Sequence, residues 1–235
     1  MRILGRTASA VIIGVAGVAA TQVQAQNVNW ADLTTAGTDQ VTGNIQVGAT
    51  SVGVIFVGPY SFANTNGGTF YWTEPVPSQR PYTGGSVTNA PPTSDIIALD
   101  QGGLKTITFS QAVTDPYLAL LSWNGNAATF TQQFQTISSG YGFYGPGSFT
   151  AVTPFTFVAE GELHGIIRFN GTFTSVSFTD RTENFHAIQI GIGGVAPPSG
   201  AVPEPATWGM MLLGFGAMSI ALRQRVQTRR NAHAA

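Results

Sequence analysis

Runs that alternate apolar and polar residues recur through the middle of the chain and predict β-strands. Residues 174–179, TSVSFT, alternate large apolar with small polar side chains, and residues 186–192, HAIQIGI, repeat the same period. A period of two puts one face of a strand in the core and the other in water. No stretch between residues 26 and 195 spaces its apolar residues three and four apart over a helical length. The pattern therefore predicts an all-β domain.

Turn-forming residues separate the predicted strands at short intervals. In chain order the strands are Val41–Val47, Ser51–Val57, Thr69–Thr73, Asp95–Leu99, Leu104–Ser110, Tyr117–Trp123, Thr129–Phe134, Phe155–Ala159, Glu162–Phe169, Phe173–Thr179 and Phe185–Ile192. Asn170 and Gly171 are typical of the type I′ turn of a hairpin. The uninterrupted apolar run from Leu118 to Leu121 predicts a central strand that is covered on both faces, with Trp123 in the core. We predict an antiparallel β-sandwich over residues 26–195, either jelly-roll-like or immunoglobulin-like.

The N-terminal end has the layout of a secretory signal peptide. Arg2 and Arg6 precede an apolar run over residues 8–20, and Ala25 is the small residue that a signal peptidase reads. The run is shorter than the roughly 20 residues that span a bilayer, which disfavours the alternative of a retained anchor helix. We predict cleavage between Ala25 and Gln26, so that residues 1–25 are removed.

The C-terminal end joins a Pro-Glu-Pro tripeptide to an apolar stretch and a cluster of arginines. Pro203 and Pro205 keep the chain extended around Glu204. Residues 207–222 carry no charge, and as a helix they would reach about 24 Å, slightly less than the hydrocarbon core. The basic residues that follow suit the cytoplasmic side of a membrane; they are Arg223, Arg225, Arg229 and Arg230. We predict one short transmembrane helix at about 207–222. The alternative, a buried amphipathic helix, lacks a polar face.

This tail resembles the PEP-CTERM sorting signal. The order of Pro203, Glu204, Pro205 and Trp208, followed by the apolar stretch and the arginine cluster, is similar to the PEPxxWA subclass, with Gly209 where that subclass has alanine. The resemblance implies a sorting signal over residues 203–230, after a Pro/Gly linker at 196–202. It also implies export in a Gram-negative bacterium, membrane anchoring, processing by an exosortase, and a later place in the envelope or extracellular matrix with exopolysaccharide and biofilm. Such tails have also been labelled an ice-binding protein C-terminal domain, but the body has no regular Thr-x-Thr array.

Composition and charge exclude several classes of function. The chain has no cysteine, so it has neither disulfides nor thiolate sites. Between residues 26 and 199 it has four basic and ten acidic residues, a net charge of −6. Such a body is a poor electrostatic match for a phosphate backbone, and we expect no nucleic-acid partner.

Two sets of polar residues are candidate metal ligands. Glu160, Glu162 and His164 would share one face of a continuous strand and could hold a metal together with His186. We expect instead that Gly161 marks a turn and that these side chains lie on a solvated face. The aspartates available for a calcium site follow no ligand-loop motif; they are Asp95, Asp100 and Asp115. We predict no metal site and no cofactor.

No catalytic motif stands out. Residues 140–145, GYGFYG, match a dinucleotide-binding pattern by letter, but Pro146 leaves no helix to receive a pyrophosphate. The glutamates available for a glycosidase pair are Glu74, Glu160, Glu162 and Glu183. The aromatic residues that could stack on sugar rings, or simply pack in the core, are Tyr71, Trp72, Tyr82, Tyr141 and Tyr144. We expect a non-enzymatic exported protein; a carbohydrate-binding module is the alternative, and a polysaccharide hydrolase is less favoured.

Overall fold

The computed structural model describes residues 25–197 and 208–219. Twelve β-strands fill the first of these ranges, which confirms the prediction of an all-β domain. They are β1 (Asn29–Gly37), β2 (Gln40–Val47), β3 (Thr50–Val57), β4 (Phe62–Asn64), β5 (Ile96–Leu99), β6 (Gly103–Asn124), β7 (Ala127–Phe130), β8 (Gln135–Gly140), β9 (Gly147–Val152), β10 (Thr156–Arg168), β11 (Thr172–Asp180) and β12 (His186–Val195).

The strands form one continuous antiparallel network in the order β4-β5-β12-β1-β2-β3-β6-β11-β7-β10-β8, with β9 paired to β10. The first part of β6 pairs with β3 and β11, and its second part pairs with β10 and β12. Two closed circuits of strands therefore share β6: β12-β1-β2-β3-β6 and β6-β11-β7-β10. The antiparallel prediction is confirmed. The predicted division into the two separate sheets of a sandwich is wrong, because β6 belongs to both parts of the network.

Two predicted turns lie inside long strands. The predicted strands Leu104–Ser110 and Tyr117–Trp123 are both parts of β6, which changes direction at Asp115, where φ is 48°. Gly161 lies within β10 with φ of 63°, so it bends that strand and does not end it. A glycine accepts such a φ without steric cost, which is why one strand can continue through this position.

The predicted hairpin at Asn170 and Gly171 is also wrong. These residues connect β10 to β11, but each of those strands pairs with β6 at this point, Arg168 with Tyr117 and Thr172 with Thr114. Asp115 stabilises this corner through two hydrogen bonds of 2.8 Å. The Gly171 amide donates to the Asp115 carboxylate, and the Asp115 amide donates to the Gly171 carbonyl. Gly171 has a positive φ of 122° whereas Asn170 does not, so the turn is not type I′.

Other differences concern short strands. The predicted strand Thr69–Thr73 is irregular chain, and in place of Thr129–Phe134 the strand β7 begins earlier, at Ala127, and ends at Phe130. Strands β1, β4, β8 and β9 were not predicted. Their exposed positions and small residues give weak periodicity, and their pairing comes from distant neighbours such as β12 for β1.

The core has two parts, one on each side of β6. Leu118 and Leu120 belong to the larger cluster, whereas Tyr117, Ala119 and Leu121 belong to the smaller. This alternation confirms the prediction of a central strand that is covered on both faces. Trp123 is fully buried in the larger cluster, as predicted, and its indole donates to the Ala187 carbonyl at 3.1 Å.

The second described range forms a helix over residues 208–219, beginning at Trp208, which is half exposed. No helix in the two described ranges combines the length and apolarity that crossing a membrane requires. The predicted span at 207–222 extends past this range. The Pro-Glu-Pro tripeptide, the arginine cluster and residues 1–24 lie outside the described residues.

Candidate functional site

The predicted cleavage position lies where the folded domain begins. Ala25 is exposed, whereas Gln26 is held on three sides. Its amide donates to the Ser86 carbonyl at 2.7 Å, its carbonyl accepts from Thr88 at 3.1 Å, and its side-chain oxygen accepts from the Tyr117 hydroxyl at 2.9 Å. Cleavage before Gln26 stays a prediction.

The candidate sugar-stacking residues separate into two groups. Trp72 and Tyr82 are buried in the smaller core cluster, with their rings edge-to-face at 5.1 Å. Tyr71 and Tyr141 are partly exposed, and Tyr144 is 45% exposed. Trp72 and Tyr82 therefore pack in the core, which was one of the two expectations for these aromatic residues. Only the exposed and partly exposed candidates are available to a ligand.

An aromatic patch forms around a tight loop between β8 and β9. Gly142 and Gly145 exchange backbone hydrogen bonds at 3.1 and 3.2 Å, which pushes Phe143 and Tyr144 to the surface. We define the aromatic patch as Phe62, Tyr71, Phe143, Tyr144 and Phe185. Their ring centroids lie 5.0 to 6.3 Å from neighbours within the patch. Such spacing gives a rigid apolar surface at low entropic cost.

An acidic cleft of about 450 Å³ adjoins the patch. It is lined by Ser122, Asn124, Tyr144, Glu162, Glu183, Asn184 and Phe185. The lining contains two carboxylates and no lysine or arginine. Two residues, Tyr144 and Phe185, belong to both the cleft and the aromatic patch.

Asn124 holds the two carboxylates of the cleft in place. Its backbone amide donates to Glu183 at 3.0 Å, and its side-chain amide donates to Glu162 at 2.9 Å. The second oxygen of Glu162 accepts a short hydrogen bond from the Ser122 hydroxyl. The two glutamates are thus fixed relative to each other by one asparagine at the end of β6.

Ser122 reaches Glu162 because β6 bulges at this point. Leu163 pairs with Trp123 and Gly165 with Leu120, so β6 has one more residue than β10 between these pairs. Ser122 has φ of 55°, which is costly for a residue with a side chain. The bulge explains how a strand residue lies beside the cleft carboxylate.

A buried polar chain continues inward from the cleft. Glu183 lies 3.3 Å from His186 Nδ1, and His186 Nε2 lies 2.9 Å from Asp180. Asp180 in turn contacts Lys105 at 2.5 Å. Burial lowers the pKa of His186, but the hydrogen bonds and charges of Asp180 and Glu183 outweigh burial and raise the pKa above its usual value. The acidic cleft is therefore supported from below by a charged network.

His164 does not lie on a solvated face. It is fully buried beneath the Gly142 loop, with Nδ1 2.9 Å from the Tyr82 hydroxyl and with Nε2 lacking a hydrogen-bond partner. Burial lowers the pKa of His164 to about 4. A Cβ added at Gly142 would lie 2.3 Å from the imidazole Cγ, so only glycine fits over this ring. Glu160 is exposed and Glu162 faces the cleft, and the described residues contain no cluster of three potential metal ligands.

Two further acidic candidates have local structural partners, whereas the buried Oδ1 of Asp100 has no hydrogen-bond partner. Glu74 accepts hydrogen bonds from the Tyr82 amide and from both the amide and hydroxyl of Thr83. Asp95 is buried and accepts from the Leu33 amide at 2.8 Å. These carboxylates shape the fold and do not line the cleft.

Sequence reasoning placed Glu162 and Glu183 among the four glutamates available for a carboxylate pair, and it named Tyr144 separately as a stacking residue. It missed Ser122, Asn124, Asn184 and Phe185. The cleft draws on β6, β10, the loop before β12 and the glycine loop, so its members are far apart in sequence. No local spacing signals such a site.

Comparison with known proteins identifies the tail only. Residues 201–226 match the family model of the PEP-CTERM protein-sorting motif. No curated protein and no solved structure is significantly similar to the chain.

Proposed function

Because the chain carries a PEP-CTERM protein-sorting motif, which indicates exosortase-dependent sorting of an exported protein, we propose that it acts in the envelope or extracellular matrix of a Gram-negative bacterium. In this proposal residues 207–222 hold the protein in the membrane until the exosortase processes the tail. The domain then associates with exopolysaccharide or biofilm and catalyses no reaction. The observation that carries the proposal is the motif over residues 201–226.

The state of the cleft carboxylates favours a non-catalytic role. Both oxygens of Glu162 accept hydrogen bonds from Ser122 and Asn124, and Glu183 is held by Asn124, Asn126 and His186. A glycosidase needs one carboxyl group that is free to protonate the leaving oxygen. Carboxylates held by protein donors suit the orientation of ligand hydroxyl groups instead.

The sorting proposal is tested by truncation in the native host. Removal of residues 202–235 should abolish processing and send the protein to a different fraction. Alanine replacement of Pro203, Glu204 and Pro205 should block processing while the apolar stretch remains, and this variant separates recognition from membrane retention. Unchanged processing and localisation in both variants would reject the proposal.

The acidic cleft and aromatic patch support a second candidate function, carbohydrate binding. Exposed aromatic faces accept the apolar face of a sugar ring, and the polar side chains beside them can bind its hydroxyl groups. We expect the purified protein to bind exopolysaccharide from its own host in a pull-down. Tyr144→Ala should lower the bound fraction at least several-fold, whereas Phe155→Ala removes an exposed aromatic ring outside the patch and should not. Equal binding by both variants, or none by the wild type, would exclude this candidate.

A further inference from the structure

The only lysine of the chain is buried in the core. Lys105 is 0% exposed. Every other position in the chain counted as lysine or arginine is an arginine. Its Nζ lies 2.5 Å from Asp180 Oδ1, and neither side chain is accessible to water. Lysine is among the residues least often buried, and taking such a pair out of water costs free energy that the attraction repays only in good geometry. An amine and a carboxyl group are thus held in contact inside a dry core.

The two side chains project from neighbouring strands onto the same side. Lys105 on β6 pairs with Phe178 on β11, and Asp180 is two residues further along β11. Diagonal positions on one face lie within reach of long side chains. Nζ also donates to the carbonyls of Gln101 at 2.8 Å and Gly103 at 3.5 Å. These two acceptors orient the amine, so its remaining position faces the Asp180 carboxyl group.

A buried histidine lies on the other oxygen of the same carboxyl group. His186 Nε2 is 2.9 Å from Asp180 Oδ2, while its Nδ1 faces Glu183. Trp123 packs on this imidazole with ring centroids 4.4 Å apart, and that contact fixes the ring. The two oxygens of Asp180 therefore have different neighbours: the amine at Oδ1 and a proton-carrying ring at Oδ2.

We propose that Lys105 and Asp180 join in an intramolecular isopeptide bond. A proton moves from the ammonium group to the carboxylate within the pair, and the lone pair of Nζ attacks Cγ of Asp180. In the tetrahedral intermediate that proton passes from Oδ1 to Oδ2, and His186 donates its Nε2 proton to the same oxygen, so that Oδ2 carries two protons and leaves as water. The imidazole then takes the proton that Nζ releases. One N–C bond forms and one C–O bond breaks. Ammonium and carboxylate give an amide and one water, and no oxidant, reductant or further reactant is needed.

The local environment favours this reaction in three ways. The amine and the carboxyl group are already in contact, so the effective concentration of the amine at the carboxyl group is very high. The product amide carries no charge, so the reaction removes two charged groups from a dry core. Burial lowers the pKa of His186 but Asp180 and Glu183 raise it, and Nε2 lies 2.9 Å from Oδ2, which places a proton donor at the oxygen that leaves.

The bond would link positions 75 residues apart and join β6 to β11 covalently. A cross-link over a loop of this size removes more entropy from the unfolded chain than a short one does. The chain has no cysteine, so it cannot make the disulfides that commonly stabilise secreted domains.

Peptide mapping of the purified full-length protein tests the proposal. Cleavage after arginine releases residues 169–181, which contain Asp180. In the wild type this peptide should be absent as a linear species. It should appear attached to the Lys105 peptide, which ends at Arg168, in a branched product with two N-termini, one of them Phe169. The second N-terminus, read by N-terminal sequencing or fragment spectra, distinguishes this product from the linear peptide left by missed cleavage at Arg168, which has the same mass. An amine-specific reagent should leave Lys105 unlabelled after denaturation.

Lys105→Arg is the matched control, because arginine keeps the charge but does not form this amide. Its digest should release the linear 169–181 peptide. A branched fraction in the wild type that the control lacks supports the bond. A linear 169–181 peptide from folded wild-type protein, with full labelling of Lys105 after denaturation, overturns it and leaves a buried ion pair. If the control does not fold, the wild-type digest and labelling still decide.

Discussion

Acid should destabilise the domain through His164. The imidazole is fully buried, its Nε2 has no hydrogen-bond partner, and burial lowers its pKa from 6.5 to about 4. Between these two values the unfolded chain binds a proton that the folded chain does not bind. Stability from this group is therefore complete above pH 6.5 and is lost as the pH falls towards 4. At about 1.4 kcal/mol per pH unit, the loss is about 3 kcal/mol.

Urea unfolding of the purified protein at several pH values between 4 and 7 measures this loss. The comparison is with His164→Asn, whose side-chain amide can still hydrogen-bond the Tyr82 hydroxyl but does not titrate. Other groups titrate equally in both proteins, so the difference between the two curves isolates His164. We expect the free energy of unfolding to fall about 3 kcal/mol further in the wild type than in the variant. Parallel curves would refute the account of His164 as a neutral buried base.

Three further predictions concern Gly142, His186 and Trp123. Gly142→Ala should lower the free energy of unfolding by about 2 kcal/mol in urea titration, because its Cβ would overlap the His164 ring. In the Lys105→Arg variant Asp180 keeps its carboxyl group; burial lowers the pKa of His186, but Asp180 and Glu183 raise it above 6.5, so stability from this group is present below pH 6.5 and is lost as the pH rises through the higher folded value, and adding His186→Gln to this variant should remove that slope. Trp123→Ala should cost about 3–5 kcal/mol, measured by chemical denaturation, because the side chain is fully buried.

The predictions from sequence succeeded where one strand carried the whole signal. The alternation in β11 and β12 and the apolar run in β6 gave strands close to their observed positions. They failed where a neighbouring strand decides the outcome. Asn170 and Gly171 are residue types that are typical of a hairpin turn, but β6 lies between the strands that they connect. Glycine at position 161 suggests a turn, but Gly161 pairs with Gly147 of β9, so strand β10 continues through it.

The candidate site was less predictable than the fold for the same reason. Glu162 and Glu183 are 21 positions apart in sequence and meet only because Asn124 donates to both. Lys105 and Asp180 likewise meet through the register of β6 with β11. The sorting motif is the opposite case, because its residues are consecutive and its recognition needs no tertiary structure.

The pairing of β1 with β12 has a consequence for when the domain can fold. Asn29 lies opposite Ile192, so the first strand of the domain pairs with the last. The circuit β12-β1-β2-β3-β6 therefore cannot close until β12 is present. A chain that is synthesised and exported from its N-terminus exposes β1 long before β12 is available. Pairing between such distant segments is slow to form. The domain therefore stays incompletely folded until β12 has emerged, directly ahead of the sorting tail, so that export and final folding are ordered in time by the topology of the sheet.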